Sequence, residues 1–454
     1  MTLQTAQALS RQNVIAMILV GASMVLGGGG SPAPLPELAL QLLALVFFVL
    51  WAALTPGVLV RVPRQTWIIV AGLLILPCIQ LVPMPSALWH MLPGRATERA
   101  ALALVGAENS WQPWSISPPR TLAALLAMLV PAIVVLMTAN LEQSGRAMVV
   151  GAIFGIALLA LIVGVGQISA GESNAFRFYV PDVGYLNGFQ ANHNSAADVL
   201  LIGMVAGVAT LREASERRLR GAKSTFLLAA AAGLTFVFSL GVFLTASRAG
   251  AMLLPVAWLG VLALVWPWLR FNRRQIIIAS TLVVVGMFAA SLLFSSNGMI
   301  ARVIGRYTFE GEFRPELWKD AIFAMQQYFP FGSGMGTIVP VLIGAERLEV
   351  VDVTLPNRVH NDFLELAVET GVFGAVILAV IASILSKRLF AAMRGQGSLP
   401  VTNAIFAGTT FAVVALHSLV DYPLRSISLA SIAAVAAGLL MPLPGLARTK
   451  LPIA

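Results

Sequence analysis

Long apolar runs separated by short polar segments recur along the whole chain. Twelve of them fall near residues 12–28, 37–54, 66–83, 120–139, 146–167, 192–210, 224–246, 249–268, 275–294, 368–388, 401–420 and 424–442. Runs of about 17–25 residues are long enough to cross a hydrocarbon core of about 30 Å. In lipid they must be helices, because an open sheet would leave backbone groups unpaired. The pattern predicts an all-α polytopic membrane protein with about twelve transmembrane helices. Two polar stretches between spans are long enough to hold structure, at about 84–119 and 295–367. The expected organisation is a bundle over 1–294, an outer loop over 295–367 and three further spans over 368–454.

The first of these loops carries Trp89, His90, Trp111 and Trp114, and its tryptophans are expected at headgroup level. In the second, FRPELWKDAIFAMQQYFP places Leu317, Ala321, Ala324 and Met325 at helical spacing. Pro330 ends that helix, and Gly332, Gly334 and Gly336 form a turn. This triple glycine follows a helix and not a strand, so it is no dinucleotide fingerprint. Gly151 with Gly155, and Gly203 with Gly207, are spaced to let helix backbones pack closely.

Composition agrees with the pattern: 58% of residues are hydrophobic and 11% charged, against about 25% charged in soluble domains. The positive charge is unevenly placed. With the N-terminus cytoplasmic, the inner segments hold 17 of the 29 basic residues and three acids, Glu142, Glu213 and Glu216. By the positive-inside rule both termini are therefore expected to be cytoplasmic. The net charge of +9 follows from that topology and does not point to nucleic acid. The first span resembles a signal peptide, but eleven more spans make a separate secretion signal unnecessary, so it is expected to be retained. The single cysteine, Cys78, excludes a disulfide framework and a cysteine-based metal site.

The most informative stretch is RVHNDFLELAVETGVFG, residues 358–374. It puts His360, Asp362, Glu365 and Glu369 directly before a span, where ionisable groups are costly and mark chemistry more often than packing. On a helix the three carboxylates share one face, which would be merely wet if the segment were an amphipathic lead-in. Arg248 sits in the short turn TASRAGA and Arg314 opens the loop helix. By topology these two and His360 reach the outer boundary. Guanidinium groups grip phosphate oxygens bidentately, and a histidine there can take a proton from a hydroxyl.

Four segments occur in order: TASRAGA, FRPELWKDAIFAMQQYFPFGSGMGT, VHNDFLELAVETGVFG and HSLVDYPL. With LVPMPSALWHMLPG and GYLNGFQANHNSA before them, they make the chain resemble the O-antigen ligase and polymerase family over most of its length. The resemblance implies a GT-C-like glycosyltransferase of the bacterial inner membrane. It would move a glycan from undecaprenyl diphosphate to an acceptor hydroxyl on the periplasmic side. Metal, cofactor and nucleotide sugar are not needed, and the anomeric configuration would invert. By the same resemblance Arg248 and Arg314 bind the diphosphate and His360 activates the acceptor. The sequence agrees in having no Asp-x-Asp on its outer face to hold a divalent ion.

Asn361, Asp362 and Glu365 are further substrate-site candidates, Glu365 as a group orienting His360 or the acceptor. Asn192, His193 and Asn194 either line the sugar site or cap the sixth span. Asp198 is a charge inside the membrane and so a functional candidate. His417 and Asp421 lie one helical turn apart and are read as a structural pair. The preferred acceptor is lipid A-core, as in a ligase. The alternative is a growing lipid-linked glycan or exopolysaccharide, as in a polymerase. A transporter or flippase of a lipid-linked sugar is the rival of another class. It would call for charges near the bilayer midplane and two matching halves, and the chain has neither pattern.

Overall fold

The computed structural model describes residues 10–30, 34–170, 176–179, 184–217, 222–269, 314–349, 351, 357–396 and 399–444. They form two compact units, one of residues 1–149 with 312–454 and one of residues 150–311. The long helices are α1 (Arg11–Leu26), α2 (Pro34–Leu54), α3 (Arg64–Gln80), α4 (Pro118–Ala139), α5 (Gln143–Ser169), α6 (His193–Arg217), α7 (Ser224–Leu244) and α8 (Arg248–Val265). After them come α9 (Arg314–Tyr328), α10 (Ile338–Ala345), α11 (Asp362–Met393), α12 (Val401–His417) and α13 (Ile427–Leu439). Among the described residues, seven helices are long and apolar enough to cross a membrane, and four shorter apolar ones accompany them. Eleven of the twelve expected spans fall on these helices. The ninth, near 275–294, lies outside the described residues.

In the larger unit α4 is central, packed by α13, α3, α2 and α1. Further pairs, α11 on α3, α12 on α11 and α13 on α12, extend the bundle. Helix α1 is part of this packing, with Ala16, Leu19, Val20 and Met24 buried. Ser10 caps its start by accepting the Asn13 N–H. In the smaller unit α6, α7 and α8 pack against one another. There a Cβ on Gly203 would press on Ala157 and Phe238, and one on Gly207 on Phe154. Gly155 has open space around it, so only part of the expected glycine packing is realised.

Two features of the larger unit position the site. The first is a break in α11: Gly371 has φ 54° and ψ −141°, which separates a nine-residue lead-in from the long apolar segment. The N–H of Val372 is satisfied from outside the helix by the Pro330 carbonyl at 3.0 Å. A side chain on Gly371 would overlap that carbonyl. The second is the turn at 332–336, whose three glycines all have positive φ. Its backbone donates to Val368 and Glu369 carbonyls at 3.0 and 2.9 Å, an approach that leaves no room for a Cβ on Gly332.

The same turn gathers the loop near 84–119. Gln80 donates to the Glu369 carbonyl at 3.1 Å and accepts from Met335 N–H at 2.9 Å. Trp114 donates to the Gly332 carbonyl at 3.2 Å. Two of the three tryptophans expected at headgroup level are buried within the protein. Trp89 is fully buried and donates to the Ser110 carbonyl, and Trp114 is buried too. Loop folding offered each indole N–H a carbonyl, and a buried indole with a partner is favoured over a wet one. Trp111 alone stays exposed.

Candidate active site

The start of α11 shows how the sequence builds the site. Asn361 is the N-cap, its side chain accepting the Leu364 N–H at 3.0 Å and donating to the Leu419 carbonyl at 3.0 Å. Asp362 and Glu365 follow in the first turn, where carboxylates suit the positive end of the helix dipole. The acidic face is not wet. Glu365 and Glu369 are fully buried and Asp362 nearly so.

Two arginines compensate these charges. Arg425, in the short turn Pro423–Arg425 between α12 and α13, reaches all three carboxylates. Its Nη1 lies 2.9 Å from Glu369, and its Nε lies 3.2 Å from Glu365 and 3.5 Å from Asp362. Arg358 donates to the other side at 2.8 Å from Glu365 and also to the Gly30 carbonyl at 3.3 Å. Further hydrogen bonds reach each carboxylate. Asp362 accepts from Ser418 and from the Leu424 N–H, both at 3.1 Å. Glu365 accepts the Val359 N–H at 3.2 Å, and Glu369 the Ile338 N–H at 3.2 Å. Buried carboxylates persist when they are paired and hydrogen-bonded in this way.

His360 stands at the edge of this cluster. Its backbone is left-handed, with φ 53°, a conformation that costs about 1–3 kcal/mol for a non-glycine residue and is often found at functional sites. The Val359 N–H to Glu365 on one side and the Asn361 cap on the other hold it there. Nδ1 of the ring is 3.2 Å from Oδ1 of Asp421, and Tyr422 packs against the ring at 4.9 Å between centroids. Burial would push the Asp421 carboxyl upward. The hydrogen bond with His360 and the charges of His417, His360 and Arg314 hold it below its usual range instead. An ionised Asp421 only accepts, so His360 donates to it from Nδ1.

In the larger unit, then, the structure brings together His360, Asn361, Asp362 and Glu365, with Arg314 near enough to act on Asp421. His417 lies 4.0 Å from Asp421, so the expected pair exists but is the longer of two contacts. The shorter one, to His360, was not anticipated, nor was the part played by Arg425. One sequence signal was available: three carboxylates on one face beside a membrane demand cations, and arginines adjoin two of the motifs.

Arg248, Asn192, His193 and Asn194 belong to the smaller unit. Asn192 accepts the Asn194 N–H at 2.8 Å, the capping role. Asn194 in turn accepts from Ser247 at 2.7 Å, and Ser247 caps α8 by accepting the Gly250 N–H at 3.0 Å. The NHN cluster thus fixes the turn from which Arg248 opens α8. Asp198 is fully buried one turn further along α6.

Among the described residues no group of three or more His, Cys, Asp or Glu is arranged to hold a metal ion. No curated protein sequence matches the chain. A family model described as O-antigen ligase matches residues 233–379. That stretch, which holds Arg248, Arg314 and His360, is similar to the O-antigen ligase family.

Proposed function

We propose that the protein is a glycosyltransferase acting at the periplasmic face of the bacterial inner membrane. It transfers a glycan from undecaprenyl diphosphate to a hydroxyl of lipid A-core. The observation that carries this reading is the pairing of His360 with an ionised Asp421 beside Arg314. Nε2 of His360 takes the proton of the acceptor hydroxyl as its oxygen bonds to the anomeric carbon. The bond from that carbon to the diphosphate oxygen breaks, and undecaprenyl diphosphate leaves with the electron pair. Attack opposite the leaving group inverts the anomeric centre. Arg314 stabilises charge on the departing diphosphate. Arg248 is given the same task on the strength of its motif alone.

The test is transfer by the purified protein from an undecaprenyl diphosphate glycan to lipid A-core. His360→Ala should lose about 10²–10⁴ in rate, the usual worth of a positioned general base. It should still bind the donor, and chelators should leave the wild type unaffected. Near-normal transfer by His360→Ala would remove its assigned role. Extension of a lipid-linked glycan in place of transfer to lipid A-core would identify a polymerase. Movement of the donor across a bilayer without any new glycosidic bond would identify a transporter. Orientation is checked separately in a Cys78→Ser background. Cysteine at the exposed Leu348 should label from the periplasm, and cysteine at the exposed Gln396 only from the cytoplasm.

A further inference from the structure

We infer that Arg425 is a positioning residue for His360, acting through the carboxylates of α11. The inference rests on the transfer reading above.

The argument begins with what fixes His360. Its neighbour Val359 gives its N–H to Glu365 at 3.2 Å and receives the Trp318 indole N–H at 3.0 Å. Arg358, one residue earlier, pairs with the same Glu365 carboxylate at 2.8 Å. Glu365 is therefore the anchor of the two residues that lead into the left-handed His360. Arg425 holds that anchor at 3.2 Å and extends the hold to Glu369 and Asp362. It also lies four residues after Asp421, in a segment tied to α11 at several other points. Asp362 N–H donates to the Ser418 and Asp421 carbonyls at 2.9 and 3.2 Å, and the Leu424 N–H returns to Asp362 at 3.1 Å. Through Arg425 the residues that fix the histidine and the segment that carries its aspartate are set in one register.

The residue type fits this task. Guanidinium presents five donors in a rigid plane and can serve several carboxylates together, while ammonium is a single point charge on a flexible stem. The position gains nothing from helix electrostatics. Arg425 lies just before the N-terminus of α13, where a cation opposes the helix dipole, so its three carboxylate partners account for its presence. In a site that needs productive geometry within about 0.5 Å, loss of such a support lowers turnover without a loss of binding.

Two variants test the inference in the transfer assay. Arg425→Lys keeps the charge but not the three-way fork. The double variant Arg425→Met with Glu369→Gln removes one charge of each sign, while Glu365 keeps Arg358 and Asp362 keeps its bonds from Ser418 and the Leu424 N–H. For both, kcat should fall about 10–100-fold with KM for the lipid-linked donor within about twofold. Arg425→Lys should be the less impaired of the two. Wild-type kcat in the double variant would reduce Arg425 to charge balance. A raised donor KM at unchanged kcat would make it a binding residue. Failure of both variants to accumulate in the membrane would make it a folding residue. Each of these three results overturns the inference. Absence of transfer by the wild type would instead overturn the proposed function, so the two failures are distinguishable.

Discussion

Helix α13 has an arginine at each end, one buried and one largely so, and the two employ the same side chain in contrasting ways. Beyond its C-terminus, Arg146 is fully buried and donates only to backbone carbonyls. It bonds Leu439 and Met441 from α13 and its exit at 3.0 and 2.9 Å, and Ala139 and Leu141 from α4 and its exit at 3.0 Å each. These carbonyls are among those that a helix leaves unpaired at its end, and a cation there also suits the dipole. Before its N-terminus, Arg425 donates to carboxylates and has the dipole against it. Neutral acceptors at a helix end require only that something satisfy them. Charged acceptors held at a helix start beside a strained histidine fix a particular arrangement of reactive groups. The comparison assigns Arg146 to stability and Arg425, with its partners, to chemistry.

The largest expected effect lies at the chemical end. Asp421→Asn preserves size but can present its amide N–H to His360, which favours the wrong tautomer. Transfer should drop about 10²-fold or more. The sign for stability is separate. Asp421 is held below its usual range in the folded protein. It therefore stabilises the fold above the unfolded carboxylate value of about 3.9 and loses that contribution as pH falls through the folded value. Asp421→Asn should accordingly lose less stability on acidification than the wild type. An unchanged rate would show that the aspartate does not act on His360.

At the other end the effect should appear in stability alone. Arg146→Ala leaves carbonyls of two helix ends without donors in a buried place, at a cost of at least about 3 kcal/mol. Arg146→Lys, with three donors in place of five, should fall between alanine and wild type. Thermal unfolding in detergent measures the loss, and transfer per folded molecule should match the wild type in both variants. A fall in turnover at full folding would erase the division between the two ends.

How much of this could be read from sequence depends on what kind of order a feature needs. Spans were legible because apolar runs of the required length are local facts, and α1 through α8 start within a few residues of the expected places. Helix α9 was legible from Leu317, Ala321 and Ala324, which are all buried. His360, Asp362 and Glu365 were legible because their charge beside a span is conspicuous. What their carboxylates pair with was not, since Arg425 lies 56 residues from Glu369 in sequence. The same holds for His360 and Asp421, 61 residues apart. His417 was preferred as the partner of Asp421 because helical spacing is the only proximity a sequence prints. The tryptophans misled for a related reason: an outer loop suggested an interface, while the carbonyls that bury Trp89 and Trp114 come from turns whose approach only the fold creates.

The smallest expected effect sharpens the comparison by holding distance constant. On α9, Glu316 lies 2.7 Å from Lys319 and 2.6 Å from Arg347, as close as Arg425 to its own partners. Hydrogen bonds from Lys319 and then Arg347 hold the Glu316 carboxyl below its usual range. Exposure separates the two networks: Lys319 is 61% and Glu316 45% exposed, against 13% for Arg425 and none for Glu365. Charges in water lose little solvation on separating, and salt screens what attraction remains. The sign follows the depressed carboxyl: whatever Glu316 contributes is present at neutral pH and fades in acid. Lys319→Ala should therefore leave transfer unchanged and shift unfolding by no more than the error of the measurement. Any small shift at low ionic strength should vanish at about 0.5 M salt, where the screening length is only a few ångströms. A loss of turnover, or a destabilisation that survives salt, would mean that distance and not burial ranks these ion pairs, and the special standing given to Arg425 would go with it.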